Sequence, residues 1–335
     1  MSLGYLSEQG WGQLKLQVKG RKNQDVLNDP KVDPLFKRKI LSIEKDKKFF
    51  YEFFKEKETS IYSETTFLDH EAVTYLLIAS PHKQMVPHEF DFPFMGKFPY
   101  IGFFSKDSAK KFAKKLEEDE NLVTWIRPVY AYSTLGYLED RILSSFFHFE
   151  DIELSELVFH ELFHTIFFMK DDVDLNENLA QFFSRRLLKE YYGENADYQA
   201  YQKLEAKKEK ATQKIIATLE LLDQEFKKLG VFLSDEKADE LTERFVLEIL
   251  KPVMKDFCDS IELPQDECKV KKKWNQATFA ALLTYEKDQE FFEELYRKKN
   301  MTLINYYLWL KSQYQVYETM KSKELSFKSY LESAL

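Results

Sequence analysis

The sequence predicts an α+β fold, and three observations predict it. Short runs rich in β-branched and aromatic residues fall between residues 59 and 136, helix-period stretches lie on both sides of them, and one intervening helix is apolar almost all round. Strands grouped apart from the helices, with no βαβ alternation, favour segregated sheet and helix layers over a doubly wound sheet.

From about residue 8 to 58 the chain reads as helical. Within it, Pro34 to Phe54 carries Phe36, Ile40, Ile43, Phe49, Phe50, Phe53 and Phe54 as a broad apolar stripe suited to core packing. Strand patterns follow at Val73 to Ala79, Tyr100 to Phe104 and Leu122 to Ser133, interrupted by one helix, Lys106 to Glu118. Asn195 to Leu229 reads as a long Lys- and Glu-laced helix with a seam of Ile215, Ile216, Leu219, Leu222, Phe226 and Leu229, stopped by Gly230. Further helices are expected around 235–258, 274–286, 288–299 and 302–330, with no internal repeat. The division expected from this pattern is an N-terminal helical segment (1–58), an α+β core (59–192) and a helical C-terminal region (193–335).

The apolar helix holds the chemistry. His160-Glu161-Leu162-Phe163-His164 sits among Leu157, Val158, Phe159, Ile166, Phe167 and Phe168. Residues four apart on a helix share one face, so two imidazoles can reach one ion, in the His-Glu-x-x-His arrangement of zinc hydrolases. With 6 His in 335 residues, chance would produce the pattern in about one such chain in a hundred. Two histidines and a carboxylate inside an apolar helix need partners, and a divalent cation would supply them. The competing account is a pair of core histidines hydrogen-bonded to backbone.

A third donor is expected from the following turn. Asp174, Asn176 and Glu177 precede a second helix read from Asn178, antiparallel to the first because the connection is short. Glu177 then faces back towards His164 as the ligand, with Asp171, Asp172 and Asp174 as fallback donors. Asp174-x-x-Glu177 also fits a capping box, in which Glu177 only satisfies a free amide. Lys170 stands where a metzincin would place its third His. The metal set is thus His160, His164 and Glu177 holding one Zn2+ per chain in a gluzincin-like core with a small mixed sheet. Glu161, out of phase with the ligands, is the expected general base that moves the water proton to the departing amine.

These residues resemble the putative aminopeptidase family of bacterial metallopeptidases, whose pattern is close to His-Glu-Leu-Ala-His-Gln followed by Phe-Asn-Glu-Ser-x-Ala. Here it reads His160-Glu161-Leu162-Phe163-His164-Thr165 and Leu175-Asn176-Glu177-Asn178-Leu179-Ala180. Gly12-Gln13-Leu14, Pro99 to Phe104, Ala131 to Tyr137, and Asn275-Gln276-Ala277 with Tyr285 and Phe291 look like further blocks of that family. The resemblance is strongest from about 70 to 190 and thin from about 195 to 270. Phe163 and Thr165 depart from its Ala and Gln, a change expected at the pocket wall. The resemblance implies a zinc metallopeptidase acting as an aminopeptidase. A zinc hydrolase of another amide or ester, or a metal-free binding protein on the same fold, stands as the alternative.

The second donor for a developing oxyanion is of Tyr or His type. Tyr285, in the C-terminal family block, is the leading candidate, followed by Tyr132, Tyr191 and Tyr192 among 19 tyrosines. The segment Tyr132 to Tyr137 reads as an edge strand able to pair with an extended peptide substrate through Ser133, Thr134, Leu135 and Gly136. Gly136 would allow close backbone approach, the alternative being an ordinary turn. Glu139 and Asp140 are candidate anchors for a substrate α-ammonium, set against a solvated acidic turn.

A net charge of −8 argues against a nucleic-acid partner, and the Lys269 to Lys273 run reads as a solvated face. No apolar stretch reaches the length of a membrane span. Met1-Ser2-Leu3 abutting the family-like Gly4-Tyr5 reads as a leader standing where an export signal was removed. Relatives often carry a lipoprotein signal, which implies an envelope or periplasmic location and a membrane tether. Cys258 and Cys268 would pair across a short loop in an exported protein and stay free thiols otherwise.

Overall fold

The computed structural model describes residues 3–70, 72–92, 96–130, 140–169, 172–285, 289–320 and 325–333. In chain order the elements begin with α1 (Leu3–Val18), β1 (Arg21–Lys22), α2 (Asn23–Asn28), α3 (Pro34–Phe54) and β2 (Glu64–Thr66). There follow β3 (Thr74–Pro81), β4 (Phe90–Phe92), β5 (Gly96–Phe98), β6 (Ile101–Phe103), α4 (Lys106–Asp119), β7 (Leu122–Val129) and β8 (Ile142–Leu143). The helices α5 (Asp151–Ile166), α6 (Val173–Tyr192), α7 (Ala196–Leu229), α8 (Asp235–Phe245), α9 (Lys251–Ser260) and α10 (Gln276–Tyr285) come next. The chain ends in α11 (Gln289–Lys299), α12 (Leu303–Thr319) and α13 (Phe327–Ser333). The fold is therefore α+β, dominated by helix, with small sheets.

Two compact units are woven from alternating stretches of chain. The first takes Met1–Val18, His70–Tyr130 and Glu194–Lys287, the second Lys19–Asp69, Ala131–Gly193 and Asp288–Leu335. This partition differs from three successive segments, because residues distant in sequence complete each core.

In the first unit, β3 is flanked by β6 and β7 in an antiparallel sheet, with Leu77 opposite Ile101 and Ile126. Alternate residues of these strands bury Leu77, Ala79, Ile101 and Phe103 against Ala109, Ala113 and Leu116 of α4. α4 starts where Ser105 accepts the Ser108 amide. A second core forms where the α7 seam of Ile215, Leu219, Leu222 and Phe226 meets Phe245, Leu250 and Met254. α7 is capped by Asn195 and released by Gly230 at φ 49°, a left-handed value that glycine adopts at little cost. Cys258 and Cys268 form a disulfide within this unit.

In the second unit the expected helix over Pro34 to Phe54 is found whole. Asp33 caps it, Pro34 opens it, and Lys55 closes it in the left-handed region. The expected continuous N-terminal helicity is broken at Gly20, where a side chain would collide with the Arg141–Glu64 ion pair, and again between Asn28 and Pro34. A small mixed sheet fills that gap, β2 pairing antiparallel with β1 and parallel with β8. Two- and three-residue strands leave no periodicity for a sequence to display.

α5 lies in the core of this unit between α3 and α6. Phe163 is 1% exposed and stacks on Phe183 with ring centroids 4.5 Å apart, while Phe54 and Tyr307 present edges to it. Thr165 Oγ1 bonds the Leu162 carbonyl and the Tyr51 hydroxyl. Of the two departures from the family pattern, Phe163 is therefore spent on core packing and Thr165 on hydrogen bonds within α5 and to α3, contrary to the expected change at a pocket wall.

Candidate metal centre

Spacing of four places Glu156, His160 and His164 on one face of α5 and Glu177, Gln181 and Arg185 on one face of α6. The two faces meet rung by rung. Gln181 Nε2 donates to Glu156 Oε1 and Arg185 Nε lies 3.4 Å from the same oxygen. At the other end the two imidazoles face Glu177. His160 Nε2 is 3.1 Å from Glu177 Oε2, and His164 Nε2 is 3.4 Å from Glu177 Oε1.

The turn between the helices sets this register. Asp172 caps α6 by accepting the Leu175 amide at 3.2 Å, so the helix begins at Val173, before the expected Asn178. Asn176 then clamps the exit from α5: its Oδ1 accepts the Met169 amide at 2.8 Å and its Nδ2 donates to the Met169 carbonyl at 2.7 Å. With the cap supplied by Asp172, Glu177 is not needed for a capping box, and its carboxylate is turned to the histidines. Of the fallback donors, Asp172 is this cap, Asp171 lies outside the described residues, and nothing is described of the Asp174 side chain.

The donor set fits a metal ion. One ligand atom from each of His160, His164 and Glu177 lies within 4.8 Å of the others. A tetrahedral ion bound at about 2.0–2.2 Å needs donor–donor edges of about 3.4 Å; the two imidazoles lie 3.1 and 3.4 Å from the two different oxygens of Glu177, at or just under that spacing. Nδ1 of His164, the ring nitrogen that does not face Glu177, is buried with no hydrogen-bond partner among the described residues.

Electrostatics separate the two rings. Burial pushes His164 down to about 4, against the opposing pull of Glu177, leaving it a neutral donor. Burial also works against the charged form of His160, but its hydrogen bond and charge attraction to Glu177, helped by Glu161 and Glu156, hold it above the ordinary value. Its proton is thus shared with the carboxylate that a cation would claim. Glu161, on the helix turn between the two histidines, is 9% exposed.

One residue at this site was invisible to sequence reasoning. Tyr62 is 2% exposed and held in the left-handed region at φ 60°, rare for an aromatic residue. Its amide donates to the Asp140 carbonyl at 2.8 Å and its carbonyl accepts from Asn23 Nδ2 at 2.9 Å. Burial, then the charges of Glu161 and Asp140, push its phenol well above the ordinary range, so it stays protonated. A lone Tyr in the loop before a three-residue strand offers no pattern by which to find it.

The remaining expected residues divide. Asp140 is 7% exposed, which excludes a solvated turn for its side chain. Ser133, Thr134, Leu135 and Gly136, with Tyr132 and Glu139, lie outside the described residues. Tyr285 ends α10, but nothing is described of its side chain. Tyr191 and Tyr192 are removed from consideration as oxyanion donors. They lie about 21 Å along α6 from Glu177, where Tyr192 bonds Ser155 Oγ at 2.8 Å.

Fold and site together define an α+β protein whose central helix pair presents a His-Glu-x-x-His motif and a third carboxylate to one point. The chain belongs to the family described as putative aminopeptidase, whose model it matches over residues 4–325. Membership supports peptidase activity. No curated protein and no solved structure matches the chain.

Proposed function

We propose that the protein is a zinc-dependent metallopeptidase of gluzincin-like core that acts as an aminopeptidase. The observation that carries this reading is the convergence of His160, His164 and Glu177 within 4.8 Å, with Glu161 buried between the two histidines. When bound there, zinc supplies Lewis-acid polarisation of the scissile carbonyl and acidifies a water ligand.

The protein's own groups do the rest. Glu161 takes the proton of the attacking water on its carboxylate and returns it to the leaving amine. Neutral His164 and the His160–Glu177 pair fix the orientation of the donor set, with His164 buried and the Glu177 carboxylate partly open to solvent. An oxyanion donor is supplied by Tyr62, a buried phenol kept protonated. Ser133 to Gly136 pair with the substrate backbone, and Asp140 neutralises its α-ammonium. An envelope or periplasmic location, with a lipid tether, accords with the Cys258–Cys268 disulfide, since disulfides persist in oxidising compartments. Among the described residues no helix is long and apolar enough to cross a membrane.

Elemental analysis of the purified protein and hydrolysis of matched peptides with free and acetylated N-termini test the reading. One equivalent of zinc and cleavage confined to free N-termini are expected. Equal or faster cleavage of the acetylated peptide would reject aminopeptidase action and keep the metallopeptidase. Zinc without peptide cleavage would favour a hydrolase of another amide or ester, and absence of metal would leave a binding protein.

A further inference from the structure

Helix α1 has two apolar sides, and only one of them is covered. Tyr5 and Gly12, two turns apart, seat it on the sheet of the first unit. The Tyr5 hydroxyl donates to the Gly102 carbonyl at 3.0 Å, its ring meets that of Phe103 edge-on at 5.3 Å, and a Cβ at Gly12 would lie 2.2 Å from the Phe104 ring. Trp11, Leu14 and Val18, spaced by three and four, fall on the other side of the helix. They are 69%, 52% and 74% exposed. Large apolar side chains in helical register form a stripe, which differs from the scattered exposure that any surface shows.

Size and charge limit what this stripe can meet. Its side chains expose on the order of 400 Å², about half of what one partner contributes to a stable protein interface. A second copy of the chain is therefore a poor occupant. A bilayer surface needs no shape complementarity and takes indole and aliphatic groups into its headgroup boundary. Charge agrees with that occupant. Glu8 is the only carboxylate of α1 and is partly buried, while exposed Lys15 borders the stripe one turn from Trp11. A chain of net charge −8 thus presents here a face that a phosphate-covered surface does not repel.

Two other patches lack this combination. Val231 and Phe232, at the turn between α7 and α8, are more exposed still, but Asp223, Glu225, Asp235 and Glu236 flank them, and Lys227 and Lys228 are paired with the first two of these. The Lys269 to Lys273 run, expected as a solvated face, folds Lys272 back over the rings of Trp125 and Trp274 at 4.5 and 4.6 Å.

We propose that the outward side of α1 is an interfacial surface by which the protein lies on a phospholipid bilayer, with Trp11, Leu14 and Val18 entering the headgroup boundary and Lys15 facing lipid phosphate. At 16 residues α1 is too short to cross a bilayer, so it lies along the surface. The surface uses no residue of the candidate metal centre and no covalent lipid, and it stands or falls apart from both.

Co-sedimentation of the full chain, carrying no lipid, with vesicles of three parts phosphatidylcholine to one part phosphatidylglycerol tests it, with tryptophan emission as a second readout. Saturable binding with a blue shift is expected, about fivefold tighter than to phosphatidylcholine alone, the effect of one lysine at a charged surface. Lys15→Glu should erase that preference. Trp11→Ser and Leu14→Ser, both at exposed positions, should each weaken binding about tenfold without lowering the melting temperature. Trp11→Phe should keep most of the binding but lose the blue shift, because the indole itself meets the lipid. Phe232→Ser should change nothing. Absence of binding to either vesicle, unchanged affinity in both serine variants of α1, or an equal loss in Phe232→Ser would overturn the proposal. So would a concentration-dependent dimer abolished by Trp11→Ser, which would give the face to a second copy.

Discussion

Glu161 and Asp46 are both buried carboxylates of the second unit, and they lead to opposite expectations. Glu161→Gln keeps the shape of the site and removes its proton acceptor. It should retain metal and fold while turnover falls about 10²- to 10⁴-fold; a variant with full activity would refute the assignment. His160→Ala should instead lose stoichiometric metal. Asp46 is fully buried, with Ser155 Oγ donating to it at 2.9 Å. Burial raises it from 3.8 to about 6, in spite of the hydroxyls of Tyr191 and Ser155. A raised carboxylate binds its proton more tightly in the folded state. Its contribution to stability is therefore complete below pH 3.8 and lost as pH rises through about 6. Asp46→Asn should remove this loss: denaturant midpoints should match the parent near pH 4 and exceed it at pH 8, by up to about 3 kcal/mol. Equal pH profiles for the two proteins would contradict the burial argument.

For the α5–α6 pair, the decisive feature is the clamp at its turn. Two helices with apolar faces could slide by a turn and still bury leucine and phenylalanine, but only one register brings Glu177 opposite both histidines. Asn176 holds that register through two bonds to Met169, and it is 2% exposed. Asn176→Ala leaves a buried amide and carbonyl unsatisfied, which costs about 2–4 kcal/mol. Metal affinity should fall with it, although no ligand has been touched. A variant that melts earlier but binds zinc as tightly as the parent would show that register is set elsewhere. Asn275 plays a comparable part at the start of α10, so the first residue of one family-like block serves as a helix cap.

Across the whole molecule, chemistry and covalent bracing are divided between the units. The metal candidates all lie in the second unit and the disulfide in the first. Calorimetry should resolve two unfolding transitions with separate sensitivities. Chelation should lower one, because a cation bound only to the folded state stabilises by mass action. Replacing Cys258 and Cys268 with Ser should lower the other by about 2–4 kcal/mol, the usual cost of opening a short loop. A single transition moved equally by both treatments would mean that the units do not unfold separately.

Much of this was legible in the sequence where the signal is local. Pro34 to Phe54, Lys106 onward and Asn195 to Leu229 carry caps, periodicity and stops in consecutive residues, and the structure places their helices within one residue of the expected bounds. The two histidines and Glu161 were readable because helical spacing alone fixes which side chains share a face. The small sheets were not, since strands of two or three residues gain their pairing only from partners far along the chain, as Thr65 does from Ile142. Tertiary structure likewise decided that Asp172 is the cap and Glu177 faces the imidazoles, that Phe163 belongs to the core, and that Tyr62 is buried. Sequence determines what a residue can do and which face of its own element it occupies, whereas packing between elements determines what it meets.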